Sequence, residues 1–581
     1  MFIGRCLKGE VMKKGYPTHE SRTVTDLKHL VKSAAEIHGD NVYLRYKGEA
    51  KEEIIDVTFN DIDKYIDRLG TAFFQMGLQG KHIAVIGETS KDWIATYLAT
   101  VNGGGVIVPL DKELSEEEIK NFLEIAEVSA VVYSERFQEY FERIADETDI
   151  SYFIKMGKEY EEKKNEKFIT TEELIAKGKR LLREDVTDFL DVEIDREADA
   201  VIIFTSGTTG TSKGVLLSHK NIASSINSSS AMLEFHPTDV LLSVLPTHHT
   251  YEMTCGILTP MLVGATVCIN DSMKHLLRNF KVFKPTVLIL VPLFVTTVYK
   301  RIWDTAKKNN QEKKLKRGIA LSNVLRHTGL DLRGMLFGQV TAAFGGKLKK
   351  VVCGGAALSP EYVKGFEDVG INLVQGYGIT ECSPLVSVCP FHWKKYASVG
   401  LAVHGVEVRI DKENPEDTEG EIVVRGDNVM KGYYKAPDLT HEAIDEDGWF
   451  STGDIGYIDE DGFIYITGRK KNIIILDNGK NVYPEEIEEH IYRIELVSEC
   501  VVVGKPNASG ETVITAQIFP NFDKAEEMGM EDITVISDTI KREIQELNKK
   551  LPIFKQVRGI EIRKTEFEKT TTKKIKRIKG E

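Results

Sequence analysis

Between Phe204 and His219 the chain reads FTSGTTGTSKGVLLSH, which crowds hydroxyl side chains and glycines around one lysine, Lys213. The stretch follows the apolar run ADAVIIF. Small residues let the backbone approach an anion closely, and its oxygens then accept hydrogen bonds from N–H groups and hydroxyls. Lys213 adds a point charge, so phosphate is the natural guest. A Walker A loop needs G-x-x-x-x-G-K-[ST]. Here Lys213 is preceded by Ser212 and followed by Gly214, and that pattern fails. Composition alone leaves a plain polar loop as the alternative.

Such a loop needs a rigid strand behind it, and the chain offers many. HIAVIGE (82–88), GVIVPL (105–110) and AVVYS (130–134) are strand-like, and SKDWIATYLATVNGG and SEEEIKNFLEIAE between them are helical. This alternation predicts parallel sheets with crossover helices. It recurs at ADAVIIF, DVLLSVLP, ATVCIN, PTVLILVP and KLKKVVCGG. After about residue 398, short strands separated by Gly, Asp and Asn predict an antiparallel β region. From about 470, helical PEEIEEHIYRI and DTIKREIQELNKKL mix with strands such as ECVVVGKP and TVITAQIF. The expected architecture is α/β: a large N-terminal domain, residues 1–469, and a small mobile α+β domain, residues 470–581.

The 581 residues are 42% hydrophobic and 28% charged, a balance that supports a large globular core in several domains. A net charge of -13 opposes a whole-surface grip on nucleic acid. Seven cysteines without a CxxC pair or zinc-like spacing read as reduced thiols in a cytosol. The N-terminus lacks the apolar core of a signal peptide, and no apolar run reaches the roughly 18 residues of a membrane span. A cytoplasmic protein is expected. Two basic clusters stand out: residues 300–317, with eight Lys/Arg against two acids, and the tail from Lys569, with six against one. Both read first as solvated surface, and either could attract a membrane or the phosphates of a ligand.

The loop at 204–219 resembles the phosphate loop of the adenylate-forming superfamily, which includes acyl-CoA synthetases, luciferases and peptide-synthetase adenylation domains. Similar motifs follow in that family's order: LPTHHTYE (245–252), CGGAAL (353–358), QGYGITECSP (375–384), GEIVVRGDNVMKGYY (420–434), GWFSTGDIG (448–456), GRKKNIIILDNGKNVYPEEIE (468–488) and EKTTTKKIKR (568–577). The resemblance implies a two-step reaction. A carboxylate and ATP give an acyl-adenylate and pyrophosphate, and a thiol then displaces AMP. It implies that Thr205, Ser206, Gly207, Thr208, Thr209 and Lys213 hold the β- and γ-phosphates. Thr380 would bond the α-phosphate and Glu381 would bind Mg²⁺, whose hard charge prefers oxygen. Tyr377 would lie against adenine, approached flatly through Gly354 and Gly355. Asp454 would take the ribose hydroxyls, assisted by Arg469. Lys574 would bridge carboxylate and α-phosphate. The sequence departs from the pattern beside it: Lys573 replaces the usual glycine and Glu568 the usual proline, so Lys573 is the alternative. Lys471 falls at the family's hinge.

LPTHHTYE and the segment from Asn279 to Ile302 look most like the long-chain fatty acyl-CoA synthetases. There His249 would stand at the acyl entrance, and CoA would be the thiol. A free acyl carrier protein is the rival acceptor, since no fused carrier domain is expected after the Lys574 motif. A non-catalytic nucleotide binder with the same fold is the reading from another class.

Overall fold

The computed structural model describes residues 19–48, 50, 53–158, 163–205, 212–477, 481–507, 510–569, 575 and 577. These fall into two units. The first takes up residues 1–408, 424–450 and 460–464, and the second residues 409–423, 451–459 and 465–581.

Local sequence sets the helix ends in the first unit. Ser115 caps the helix Glu116–Ile125 by accepting from the Glu118 N–H, while the Glu118 carboxylate accepts from the Ser115 N–H. This reciprocal pair satisfies two donors that a helix start would otherwise leave open. Thr58 and Asp61 do the same for Phe59–Gln75, and Thr170 and Glu173 for Thr171–Arg183.

Two sheets carry the unit. In the first, the strand order is 432–433, 213–218, 199–205, 106–110, 82–86, 130–133, 152–155, 168–170. Strands from 199–205 through 168–170 run parallel, as the alternation predicts, and 213–218 runs antiparallel to 199–205. In the second, strands 372–378, 350–353, 287–290, 240–243, 266–269 and 42–47 lie side by side and parallel. At one end, strands 385–388 and 400–402 continue it antiparallel. Wholly buried runs such as Val131–Tyr133 and Val287–Leu290 match parallel strands covered on both faces. Each sheet has its own apolar core, the first around Phe141, Phe153 and Phe168, the second around Phe280, Phe366 and Leu373.

In the second unit, strands Val497–Pro506 and Thr512–Pro520 pair antiparallel, and Gly559–Ile562 adds a parallel edge. Helices Pro484–Ile491 and Ile533–Asn548 contribute Ile487, Ile491, Ile536, Ile540 and Ile544 to one core with these strands. The fold is therefore the expected α/β protein with a small α+β portion. Among the described residues no helix is long and apolar enough to cross a membrane.

Candidate active site

The sequence-predicted residues of the first unit share one topological position, just beyond the C-terminal ends of parallel strands. Open α/β sheets bind ligands in that place. Thr205 ends strand Asp199–Thr205, Gly354 and Gly355 follow Lys350–Cys353, Tyr377 is the next-to-last residue of strand Asn372–Gly378, and His249 follows Val240–Ser243.

The segment from Thr205 to Lys213 joins two antiparallel strands. Thr205 stands opposite Lys213, and its hydroxyl donates to the Lys213 carbonyl at 3.4 Å. A hairpin, and not the strand–loop–helix of a Walker A site, thus holds the lysine. Ser206, Gly207, Thr208 and Thr209 lie outside the described residues.

Lys213 Nζ sits 4.7 Å from the centre of the Tyr433 ring, and the Tyr433 hydroxyl donates to Glu381 Oε1 at 3.1 Å. One aromatic ring therefore couples the lysine of the polar loop to the carboxylate of QGYGITE. Burial raises the Tyr433 phenol, so it stays a donor at neutral pH. The sequence reading gave Tyr433 no role, although it stands in a quoted motif. Several hydrogen bonds fix the segment that leads into its strand, Gly432–Tyr433. The Met430 N–H donates to the Glu381 carbonyl at 2.8 Å, Ser383 Oγ to the Asn428 carbonyl at 2.8 Å, and Asn221 Nδ2 to the Asp427 and Val429 carbonyls at 2.9 and 2.7 Å.

Thr380 and Glu381 open a single tight turn, Thr380–Cys382, closed by the Ser383 N–H on the Thr380 carbonyl at 3.1 Å. Tyr377 is buried beside a small apolar cavity also lined by Tyr251, Cys255, Gly354 and Gly355. A side chain at Gly354 would meet the Tyr251 ring at 3.2 Å, and Gly355 has φ +84. Both positions keep the backbone bare where a flat group can lie.

His248 Nε2 is 3.4 Å from Asp111 Oδ2, and its ring is 4.0 Å from that of His249, which is half-buried. Beyond them Tyr251–Leu258 is π-helical, a form often found at functional sites. It turns Glu252 fully inward. Ser243 Oγ donates to Glu252 Oε1 at 2.5 Å, and Oε2 has no hydrogen-bond partner among the described residues. Burial pushes this carboxyl up to about 8 from 4.5. Between those values the folded chain keeps a proton that the unfolded chain has released, so stability falls as pH rises through the window. Glu252→Gln cannot ionise. Its melting temperature is expected to gain on the parent's between about pH 5 and about pH 8. A constant offset across the range would rule this out.

In the second unit Asp454 is buried and its Oδ1 is 2.8 Å from Arg469 Nε. The two predicted ribose residues are thus brought together. The Asp454 N–H donates to Thr452 Oγ1 at 3.0 Å, and the Gly453 N–H to Glu421 Oε1 at 3.0 Å. Lys471 follows in the exposed turn Lys470–Asn472. Lys573 and Lys574 lie outside the described residues, but their flanks are anchored. Lys569 and Ile575 form an antiparallel bridge, Lys569 pairs with Glu499, and the Phe567 N–H donates to Glu499 Oε2 at 2.8 Å. On the other side Arg577 Nη2 meets Glu488 Oε2 at 2.5 Å, and Glu488 Oε1 accepts from the Val502 N–H at 2.6 Å.

Among the described residues no group of three or more His, Cys, Asp or Glu is placed to hold a metal. Glu381 is a lone carboxylate beside a cation-bearing loop. That suits Mg²⁺, which binds through one or two carboxylates plus substrate phosphates and keeps several waters.

Family comparison agrees with this layout. The AMP-binding enzyme family matches residues 31–434, and the AMP-binding enzyme C-terminal domain matches residues 471–580. The long-chain-fatty-acid–CoA ligase FadD15 of Mycobacterium bovis is 30% identical over 472 residues, 77% of this chain and 75% of that protein. The chloroplastic long-chain-fatty-acid–[acyl-carrier-protein] ligase AEE15 of Arabidopsis thaliana is 28% identical over 594 residues, 89% of this chain and 79% of that protein. Among solved structures, ATP-bound MatB from Rhodopseudomonas palustris matches with a TM-score of 0.72 at 24% identity, over 95% of this chain and 97% of that one, a likeness of fold. The hairpin lysine, the Thr380–Glu381 turn and the bare Gly354–Gly355 loop accordingly lie within a matched region that spans most of the sequence, and the chain belongs to the AMP-binding enzyme family.

Proposed function

We propose that this chain is an AMP-forming ligase that joins a long-chain fatty acid to CoA through an acyl-adenylate. The observation that carries the chemistry is the Lys213–Tyr433–Glu381 arrangement at the strand ends, which offers a cation and a carboxylate to one polyphosphate. The fatty acid and CoA are suggested by relatives such as FadD15.

In the first half-reaction a carboxylate oxygen of the acid attacks the α-phosphorus of ATP, and pyrophosphate leaves. Thr205 to Thr209 and Lys213 hold the β- and γ-phosphates, and the Thr380 hydroxyl donates to the α-phosphate. Tyr377 packs on adenine above Gly354 and Gly355, Asp454 and Arg469 take the ribose, and His249 walls the acid. Lys574 places an ammonium between the two reacting anions. Such groups act by position and by fields already oriented toward the charge that develops. Bound Mg²⁺, held by Glu381, would neutralise phosphate charge. In the second half-reaction the thiol sulfur bonds to the acyl carbon, its proton goes to solvent and AMP leaves. Residues 470–581 act as a lid that turns about Lys471, the large domain being residues 1–469, so that one small domain serves both steps.

ATP–pyrophosphate exchange over acids from acetate to oleate, with aromatic acids included, tests this reading. Exchange peaking with long chains supports it, and exchange with none refutes it. The similarity to AEE15 favours a second reading, delivery to an acyl carrier protein. Thioester formed on purified carrier and not on CoA would select it.

Glu381→Ala is expected to lower adenylate formation about 100-fold and to raise the Mg²⁺ needed for half-maximal rate. Tyr433→Phe keeps the ring over Lys213, and its loss should be smaller, about tenfold. An unchanged Mg²⁺ requirement in Glu381→Ala would refute the ligand assignment.

A further inference from the structure

The basic cluster at 300–317 remains unused by this chemistry. It spans helices Pro292–Lys308 and Glu312–Arg326 of the first unit. Their inner sides are tied to helix Pro360–Asp368. Tyr299 packs on Phe366, Asn323 Nδ2 donates to Asp368 Oδ1 at 2.9 Å, and Arg326 pairs with Glu367 at 2.7 Å. The outer sides have an unusual composition for a surface in water. Of the eight Lys and Arg between 300 and 317, Lys316 alone has a carboxylate within ion-pair distance among the described residues, Glu312 at 2.7 Å.

Apolar side chains stand among these cations. On helix Glu312–Arg326, Lys313, Arg317, Leu321 and Val324 follow one another at spacings of three and four and so share one side. All four are exposed, Leu321 at 54% and Val324 at 64%. Leu293 at the start of the preceding helix and Met335 beyond the second are exposed at 61% and 74%. Single exposed apolar residues are ordinary, but Leu321 and Val324 are neighbours on one side of a helix, and grouped apolar exposure marks a contact surface. A surface that must meet only phosphates has none either. Cations interleaved with Leu, Val and Met match a layer with anionic headgroups above and hydrocarbon below.

We infer that the outer side of residues 292–336 is a docking surface for an anionic lipid bilayer. It inverts locally the net charge of -13, so this side can attract an anionic surface that the chain as a whole would repel. The same segment reaches the site. Val291 Cγ1, one residue before helix Pro292–Lys308, lies 3.6 Å from the Cβ position of Gly355. The surface would thus seat the enzyme on the phase in which a long-chain acid dissolves. That functional meaning rests on the proposed substrate, whereas lipid binding itself does not.

Co-sedimentation of the full chain with phosphatidylcholine vesicles, with and without phosphatidylglycerol, tests the inference. Binding is expected only with the anionic lipid and should weaken with salt. Lys313→Glu with Arg317→Glu should reduce it about tenfold or more. Leu321→Ser with Val324→Ser should reduce it while leaving the salt dependence in place. Both variants should match the parent in vesicle-free pyrophosphate exchange with hexanoate, which reports intact folding. Failure of the parent to bind anionic vesicles, or parental binding by both variants, overturns the inference. So does loss of RNA binding or of self-association in the variants with vesicle binding unchanged. If vesicles bind as expected and no acid supports exchange, the docking surface stands and the proposed function falls.

Discussion

Lys574→Ala is expected to cut adenylate formation by about 100- to 1000-fold, the loss that follows removal of one preoriented charge-stabilising group. Conversion of a supplied acyl-adenylate to thioester should remain near the parental rate. Pyrophosphate exchange measures the first half, and single-turnover thioester formation the second. The contrast is sharp because the flanks of Lys574 are fastened independently of it, through Glu499 on one side and Glu488 with Arg577 on the other. Removing one ammonium should therefore leave the rest of the small domain in place. Equal loss in both halves would remove Lys574 from the assigned role. Lys573→Ala is the matched comparison, and a larger effect there would transfer the role to Lys573.

Gly378→Ala should be nearly as damaging for a different reason. A Cβ there would lie 2.3 Å from the Pro384 carbonyl oxygen, a backbone atom with little room to give. The Ile379 N–H donates to that same oxygen at 2.9 Å, so relief must move the turn carrying Thr380 and Glu381. Overpacking typically costs ~1–3 kcal/mol. A displacement of ~1 Å at a reacting centre can cost about 100-fold in rate. The expected variant folds with a lower melting temperature and loses about 100-fold in pyrophosphate exchange. Gly338→Ala, where an added Cβ meets nothing within 4 Å, is the neutral comparison. Parental exchange by Gly378→Ala would show that the turn tolerates the shift.

Much of the framework was legible because parallel strands buried on both faces need near-continuous apolar runs rich in Val, Ile and Leu, and HIAVI, AVVY and VLIL are such runs. Helix starts were legible for a local reason, as the Ser115–Glu118 pair shows. Three features were not. Tyr433 and Tyr434 are adjacent and chemically identical, yet successive strand residues point to opposite sides. Tyr433 reaches Glu381, while Tyr434 reaches Glu127. Only the pairing of 432–433 with 215–216 decides between them. Glu252 reads as an ordinary acidic residue near a helix start. Its inward turn depends on the π-helical winding and on Ser243, nine residues earlier. The surface of helix Glu312–Arg326 reads as solvated by its charge alone. The exposure of Leu321 and Val324 emerges only when the helix is seated on its neighbour.

The pairing of Thr205 with Lys213 separates two kinds of sequence change that look alike on paper. An extra residue inserted between them lengthens a connector whose ends stay one strand spacing apart, and leaves both strands in step. The same insertion just after Lys213 slides residues 214–218 by one place against strand 199–205. Val215 and Leu217, both fully buried, would then swap sides with their neighbours. An insertion behind the lysine should therefore cost the fold itself, whereas one ahead of it should spare the sheet and tell only on phosphate binding.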